Sequence, residues 1–115
     1  MPYSRGDVVL VPFPYTDNTT YKPRPALIVQ SDSLITDFPQ RVMAEITSVP
    51  RVGASRVQVK LATVEGKAMG LLTDSSLVID KLATLDDSDV IKVIGTCPPQ
   101  TMRLVDDALR ATFDL

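Results

Sequence analysis

The chain contains no histidine, no tryptophan and a single cysteine, Cys97. Without histidine, the side chain that titrates near neutral pH without perturbation is missing, so Ser-His-Asp and Cys-His hydrolase sites are excluded. One cysteine excludes an internal disulfide and, in the absence of histidine, the usual zinc sites. Any acid–base chemistry must therefore come from carboxylates, Tyr, Lys, Arg or the substrate itself. A reducing cytoplasm is the expected compartment.

Long apolar runs are also missing, because the longest stretch without a charged residue is Val93–Met102. This length excludes a transmembrane helix, and the first residues lack the basic and then apolar pattern of a secretory signal. The 115 residues are 44% hydrophobic and carry a formal net charge of −2, which is typical of a folded globular chain. We expect a single domain over residues 1–115 with one core of its own.

The first three quarters of the sequence are typical of short strands separated by turns. Residues 8–11 and 26–29 form continuous apolar runs, whereas residues 41–48 and 57–61 alternate between apolar and polar side chains. A further strand or bent pair is expected over residues 76–80 and 82–85, and an apolar strand before Cys97. We expect a loop over residues 65–70. The polar segment Tyr15–Pro23 is long for a hairpin loop, which points to a functional role.

The end of the sequence changes to a helical period. A helix is predicted over Gln100–Asp114, and one of its faces carries Met102, Val105, Ala108 and Leu109. Asp106 and Arg110 are expected to pair across one turn of this helix. Strands followed by a helix indicate the α+β class, mainly β, and the short strands favour a small antiparallel barrel or sandwich.

Three polar positions are candidates for chemistry. The motif Lys22-Pro23-Arg24-Pro25 places a guanidinium at a stiff strand start, where it can fork onto two phosphate oxygens; an arginine there is more often solvated or paired with a carboxylate. Thr47-Ser48 offers two hydroxyls at a strand end, where threonine and serine also have ordinary structural uses. Asp80 follows an apolar run, and its simplest role is to pair with Lys81 or a nearby arginine. Cys97 fits a small core residue.

The order of these segments along nearly the whole chain resembles the MazF/PemK family of toxin endoribonucleases. The segments that carry the resemblance are Arg5-Gly6-Asp7-Val8, Arg24–Val29, Ala44–Thr47, Gly70–Asp86 and Val105–Leu109. The resemblance implies an SH3-like barrel, a homodimer and a growth-inhibiting toxin that a cognate antitoxin neutralises. It also implies cleavage of single-stranded RNA, usually mRNA, at a short preferred sequence, without a metal or other cofactor.

The catalytic arginine and threonine of that family fall on Arg24 and Thr47. Some members carry an arginine two residues before an aspartate on the later strand; here the aspartate is Asp80, but Val78 occupies the arginine position. Because of this departure, we expect Arg24 and Thr47, and not Asp80, to be the residues on which catalysis mainly depends. We predict that RNA is bound around this pair by Lys22, Ser48, Glu45 and Asp80.

The implied reaction is compatible with a chain that has no histidine. RNA supplies its own nucleophile, the 2′-hydroxyl, so the protein has to orient that group and stabilise charge on phosphorus. Arg24 can stabilise the charge and Thr47 can orient the phosphate or the 2′-hydroxyl, while Glu45 and Asp80 compete for the role of base. Tyr15 and Tyr21 are candidates for stacking on splayed bases.

Two other functions fit the same sequence. CcdB-like gyrase poisons use the same barrel to bind a protein, and such a binder does not need the pair Arg24 and Thr47. An SH3-like adaptor module without toxicity is the third interpretation.

Overall fold

The computed structural model of the chain describes residues 3–13 and 22–115. Its six strands form one antiparallel sheet with the order β4-β5-β3-β2-β1-β6. The strands are β1 Asp7–Val11, β2 Arg24–Ile28, β3 Gln40–Thr47, β4 Arg56–Val59, β5 Ser75–Asp86 and β6 Lys92–Thr96. The helices are α1 Val64–Ala68 and α2 Pro99–Phe113, with a 3-10 turn at Asp87–Asp89. The sheet curls into a half-barrel, which confirms the predicted mainly β fold of SH3-like type with a C-terminal helix.

Both faces of the central strands are covered, which explains why β1 and β2 have continuous apolar sequences. The main cluster lies between the sheet and α2 and includes Val8, Leu27 and Ile46. On α2, Met102, Val105 and Ala108 are buried, as the helical period predicts. A smaller cluster on the opposite face consists of Val9, Val11, Phe13, Ala26, Ile28 and Met43. None of the helices in the described ranges is long and apolar enough to cross a membrane.

Two local expectations were wrong. Residues 65–70 were expected to form a loop, but they contain most of α1, which begins because the Thr63 hydroxyl accepts a hydrogen bond from the Gly66 N–H at 3.2 Å. The expected ion pair between Asp106 and Arg110 was also wrong, because each residue pairs with a different partner. Arg110 contacts Asp107 at 3.3 Å, whereas Asp106 accepts from the Arg5 guanidinium at 2.6 Å.

Arg5 links three parts of the chain. Its Nε donates to the carbonyl oxygen of Val29 at 2.9 Å, its Nη2 donates to Asp106, and its backbone N–H donates to the Asp32 carboxylate at 2.8 Å. The start of the chain, the segment after β2 and helix α2 are therefore fixed to one another.

Cys97 is a buried core residue, as its position in the sequence indicates. Only 3% of its surface is exposed, and burial raises the pKa of its thiol to about 11. A thiol with so high a pKa is almost entirely protonated at neutral pH, so Cys97 packs as a small apolar side chain.

The segment between α1 and β5 lies against β6 through two close backbone approaches. Gly70 has a φ of +70°, and a Cβ atom there would overlap the carbonyl oxygen of Ile94. A Cβ atom at Gly95 would overlap the carbonyl carbon of Met69. Only glycine fits these two positions without movement of the backbone, so Met69 and Gly70 lie directly against β6.

Gly95→Ala should lower the free energy of unfolding by about 1–3 kcal/mol, because the added methyl group has to push the backbone of Met69 away. Denaturation in urea measures the change. The matched control is Thr96→Ala in the same strand, whose exposed side chain should contribute less than about 0.5 kcal/mol. Equal stability of the Gly95→Ala variant and the wild-type protein would contradict this packing.

Candidate active site

The register between β2 and β3 brings the predicted catalytic pair together. Ala26 lies opposite Glu45, and Leu27 lies opposite Ala44. Continuing this antiparallel register by two residues places Arg24, the first residue of β2, opposite Thr47, the last residue of β3. Side chains of directly opposite residues point to the same face and are near neighbours. Both predicted residues therefore belong to strands, at the same end of β2 and β3.

Arg24 and Thr47 line one hollow of about 210 Å³ at the ends of these strands, which we call the Arg24 hollow. Its wall is mostly apolar, with hydroxyl groups at intervals. Its lining residues are Leu10, Arg24, Pro25, Ile46, Thr47, Ser48, Gly70, Leu71, Leu72, Thr73, Ser75 and Ile94. Arg24 is exposed and is the charged member of this lining. The arrangement combines one cation with a concave apolar surface.

The Thr47 hydroxyl is oriented by the backbone that follows it. The N–H of Val49 donates to Thr47 Oγ1 at 3.1 Å. This bond uses one lone pair of the hydroxyl oxygen, so the O–H group can still donate to a bound oxygen atom. Thr47 is thus held as a hydrogen-bond donor beside Arg24.

Ser48 joins the Arg24 hollow to a second, more polar hollow of about 150 Å³. The two hollows share Ser48 and Ser75, and the polar one is also lined by Pro50, Gln58, Val59, Lys60, Asp74 and Ser76. Within it, Ser76 Oγ contacts Gln58 Oε1 at 2.9 Å. Lys22, another predicted RNA-binding residue, is exposed two positions before Arg24. Ser48 and Lys22 therefore lie close in sequence to the predicted catalytic pair, and Ser48 also lines the Arg24 hollow.

Glu45 does not line the Arg24 hollow. It is 6% exposed, and its Oε2 lies 2.9 Å from Lys81 Nζ. Lys81 thus pairs with Glu45. The structure places Glu45, which is buried, in an ion pair with the half-buried Lys81, two residues before Thr47.

Asp80 is held by an arginine from β4. Arg56 Nε lies 2.8 Å from Asp80 Oδ1, Arg56 Nη2 lies 3.1 Å from Oδ2, and Ser55 Oγ donates to Oδ1 at 3.0 Å. The hydrogen bonds from Arg56 hold the pKa of the Asp80 carboxyl below its usual value. Asp80 does not line the Arg24 hollow, so the structure brings neither candidate base into contact with it.

Some of the predicted site lies outside the described residues. This applies to Tyr15 and Tyr21, the candidates for base stacking, and to most of the Tyr15–Pro23 loop. In residues 3–13 and 22–115, no three Cys, Asp or Glu side chains come together as a group that could hold a metal ion.

The sequence analysis did not identify the wall formed by residues 70–73. Leu71 is buried, whereas Leu72 is 93% exposed although it lines the hollow. The available signal was an apolar pair directly after a glycine and before the polar run Thr73–Ser76. A local pattern of this kind shows neither which of the two leucines is exposed nor that they lie near Arg24.

The ion pair of Asp80 predicts an acid-sensitive contribution to stability. The pKa of Asp80 is lower in the folded state than in the unfolded state. The contribution of the Asp80 carboxylate to the free energy of unfolding is therefore fully present above the unfolded-state pKa of about 4. This contribution is lost as the pH falls through the folded-state pKa. Asp80→Asn should therefore reduce the free energy of unfolding at about pH 7, with a difference from wild type that shrinks at about pH 2.5. Urea denaturation at both values measures this difference. Asp107→Asn, in an exposed pair on α2, is the control; a constant Asp80→Asn effect would contradict the ion pair.

Comparisons with known proteins agree with this geometry. No curated protein matches the sequence. Among solved structures, a mycobacterial endoribonuclease in complex with its cognate antitoxin has a TM-score of 0.77 and 21% identity, covering 98% of this chain and 96% of that chain. The toxin MazF-mt6 of Mycobacterium tuberculosis has a TM-score of 0.74 and 22% identity, covering 95% of this chain and 97% of that chain. A chain of the MazE–MazF complex of Deinococcus radiodurans has a TM-score of 0.72 and 16% identity, covering 98% and 96%.

These structural similarities establish the fold, and the sequence family adds the evolutionary relationship. The family of PemK-like, MazF-like toxins of type II toxin-antitoxin systems matches residues 4–113, nearly the entire chain. The chain belongs to the PemK/MazF-like toxin family.

Proposed function

We propose that this protein is an endoribonuclease toxin that cleaves single-stranded RNA, in particular mRNA, at a short preferred sequence. The observation that carries the proposal is that Arg24, the first residue of β2, and Thr47, the last residue of β3, line one hollow. Membership of the toxin family and the likeness to solved endoribonucleases support it. An apolar concave surface next to a cation suits a nucleotide, which has a flat base and a charged phosphate.

The proposed reaction uses the 2′-hydroxyl of the RNA and needs no metal. The 2′-oxygen bonds to phosphorus, the bond from phosphorus to the 5′-oxygen breaks, and the products are a 2′,3′-cyclic phosphate and a 5′-hydroxyl. Arg24 stabilises the negative charge that develops on the phosphoryl oxygens, and Thr47 donates a hydrogen bond that orients the phosphate.

Proton transfer in this mechanism does not pass through Glu45 or Asp80. Both carboxylates are bound to cations and lie outside the lining of the Arg24 hollow. The 2′-hydroxyl proton passes instead to a non-bridging oxygen of the phosphate and from there to the leaving 5′-oxygen. RNA binding by Glu45 and Asp80 remains a prediction, whereas the positions of Lys22 and Ser48 support contacts with the neighbouring phosphates.

We also propose that the protein acts in the cytoplasm as a homodimer and is neutralised by a cognate antitoxin. Complexes with antitoxins are found among the similar structures, which supports an antitoxin as a partner. The segment between β2 and β3 adds an exposed apolar surface for protein contacts: Ile35 is 93% exposed, Phe38 66% and Leu34 50%. Light scattering of the purified protein tests the dimer, and a monomer at all concentrations would contradict it.

Arg24→Ala should lower the rate of RNA cleavage by about two to three orders of magnitude, the scale seen when one preorganised charge donor is removed. Single-turnover cleavage of a mixed pool of single-stranded RNAs, with and without EDTA, measures the rate. The fold should be retained, because Arg24 is exposed.

The matched control is Arg103→Ala, which removes an exposed arginine that lies on α2, away from β2 in sequence. This variant should cleave RNA at the wild-type rate. Absence of cleavage by the wild-type protein would overturn the nuclease proposal. Toxicity that survives Arg24→Ala without RNA cleavage would favour a protein-binding toxin of the CcdB-like class. Loss of cleavage in EDTA alone would contradict metal independence.

A further inference from the structure

A closed ring of hydrogen bonds lies beside the candidate site. The backbone N–H of Arg51 donates to Ser76 Oγ at 3.1 Å, and the Ser76 hydroxyl donates to Gln58 Oε1 at 2.9 Å. Gln58 Nε2 in turn donates to the carbonyl oxygen of Arg51. We call these three bonds the Ser76 ring. It ties both backbone polar groups of one residue, Arg51, to side chains of β4 and β5.

The register of the sheet places the Ser76 ring next to Thr47. Ser76 on β5 lies opposite Thr47 on β3 and also opposite Gln58 on β4. Directly opposite residues point their side chains to the same face, so these three polar side chains form a row across three strands. Ser76 is only 2% exposed, and a buried hydroxyl without partners is costly. The ring satisfies this hydroxyl and at the same time fixes Arg51 beside the row.

Residues 48–51, which follow Thr47, are held at two points. The Val49 N–H donates to Thr47 Oγ1 at 3.1 Å, and Arg51 is held by the Ser76 ring. Pro50 alone separates these two points, and its pyrrolidine ring restricts the backbone φ. A displacement of Arg51 is therefore transmitted to Val49. The hydrogen bond that orients the Thr47 hydroxyl thus depends on the position of Arg51.

The side chains of the Ser76 ring are separate from the Arg24 hollow. Gln58 and Ser76 line the neighbouring polar hollow and not the one that contains Arg24 and Thr47. They can affect a group bound at Arg24 only through the residues that lie between, and Thr47 is the residue that faces Ser76 across the strands. This arrangement fits a positioning role and not direct contact with the reacting phosphate.

We infer that Ser76 and Gln58 position the Thr47 hydroxyl for RNA cleavage. The inference rests on the proposed nuclease function. The Ser76 ring holds residues 48–51, and the Val49 N–H then fixes the Thr47 hydroxyl as a hydrogen-bond donor to the phosphate. Without that bond, other staggered rotamers are available to the threonine side chain. A donor that first has to find its orientation stabilises the transition state less than a preorganised donor does.

Ser76→Ala tests the positioning role. Mapping of the cut sites in a pool of single-stranded RNAs first defines a synthetic substrate. The substitution removes two of the three bonds of the ring, so kcat for this substrate should fall roughly tenfold. KM should stay within about threefold, because Ser76 does not line the Arg24 hollow. A lower thermal unfolding midpoint with unchanged kcat would show a merely structural hydroxyl and overturn the inference.

Gln58→Met is a second variant, at an exposed position where the fold should be retained. Methionine has a similar length but carries no charge and no amide, so both bonds of Gln58 in the ring are lost. The fall in kcat should match that of Ser76→Ala within about threefold. No fall in kcat would overturn the inference.

Thr112→Ala is the matched control. It also removes a hydroxyl with an internal hydrogen bond, which Thr112 Oγ1 donates to the carbonyl oxygen of Ala108 at 2.8 Å within α2. This variant should cleave RNA at the wild-type rate. A fall in kcat equal to that of Ser76→Ala would overturn the inference, because loss of any internal hydroxyl would then have the same effect.

The double variant of Ser76→Ala and Thr47→Ala gives the decisive comparison. If Ser76 acts through Thr47, replacing Ser76 in the Thr47→Ala variant should lower the cleavage rate by less than about twofold. The reason is that the hydroxyl that the ring positions is already missing. A further fall of about tenfold would show that Ser76 acts by another route and overturn the inference.

Amide hydrogen exchange separates this inference from the nuclease proposal, because it needs no RNA. NMR of the wild type and of Ser76→Ala measures exchange at the N–H groups of Val49 and Arg51. The Ile79 N–H, which donates to the carbonyl oxygen of Ser55 at 2.9 Å, is the internal reference. Exchange at Val49 and Arg51 should be at least about tenfold faster in the variant and unchanged at Ile79.

The two proposals fail in different ways in this experiment. Faster exchange in the variant of a protein that cuts no RNA would support the hold of the ring on residues 48–51 and overturn the nuclease. Unchanged exchange at Val49 in a protein that cuts RNA would overturn the positioning role alone.

Discussion

The antiparallel register of β2 against β3 is the constraint on which the candidate site depends. Leu27 and Ala44 face each other inside the main core, so a shift by one residue would move the buried side chains of both strands to the wrong face. Burial therefore fixes the register, and the register brings Arg24, at the start of β2, and Thr47, at the end of β3, to the same end of the two strands. The predicted catalytic pair is thus carried by two neighbouring strands, where both residues can act on one phosphate.

The opposite wall of the site depends on a second constraint, the close approach of backbone to backbone at Gly70 and Gly95. These contacts bring Leu71 and Leu72 to the same hollow as residues from β2 and β3. The charged edge and the apolar wall come from segments far apart in sequence, and both are held by packing in the folded chain. A low-dielectric wall next to a guanidinium also strengthens the attraction between that cation and a bound phosphate.

The local sequence pattern was enough to predict the elements whose apolar residues follow a regular pattern. The period of α2 predicted its buried face at Met102, Val105 and Ala108, and the continuous apolar runs predicted two central strands. A helix as short as α1 has no periodic signal and begins at a side-chain cap on Thr63. Long-range partners leave no local signal either, which is why Arg5 displaced Arg110 as the partner of Asp106. Arg24 and Thr47 were associated by resemblance to a family, since strand register cannot be deduced from one sequence.

A double-mutant cycle on Arg24 and Thr47 tests most directly whether the register makes them one unit. Single-turnover cleavage rates are measured for Arg24→Ala, Thr47→Ala and the double variant. If both residues act on the same phosphate, the double variant should cleave only a few-fold more slowly than the worse single variant, a coupling of at least about 1 kcal/mol. Losses that multiply to within about threefold would show independent residues and contradict a shared site.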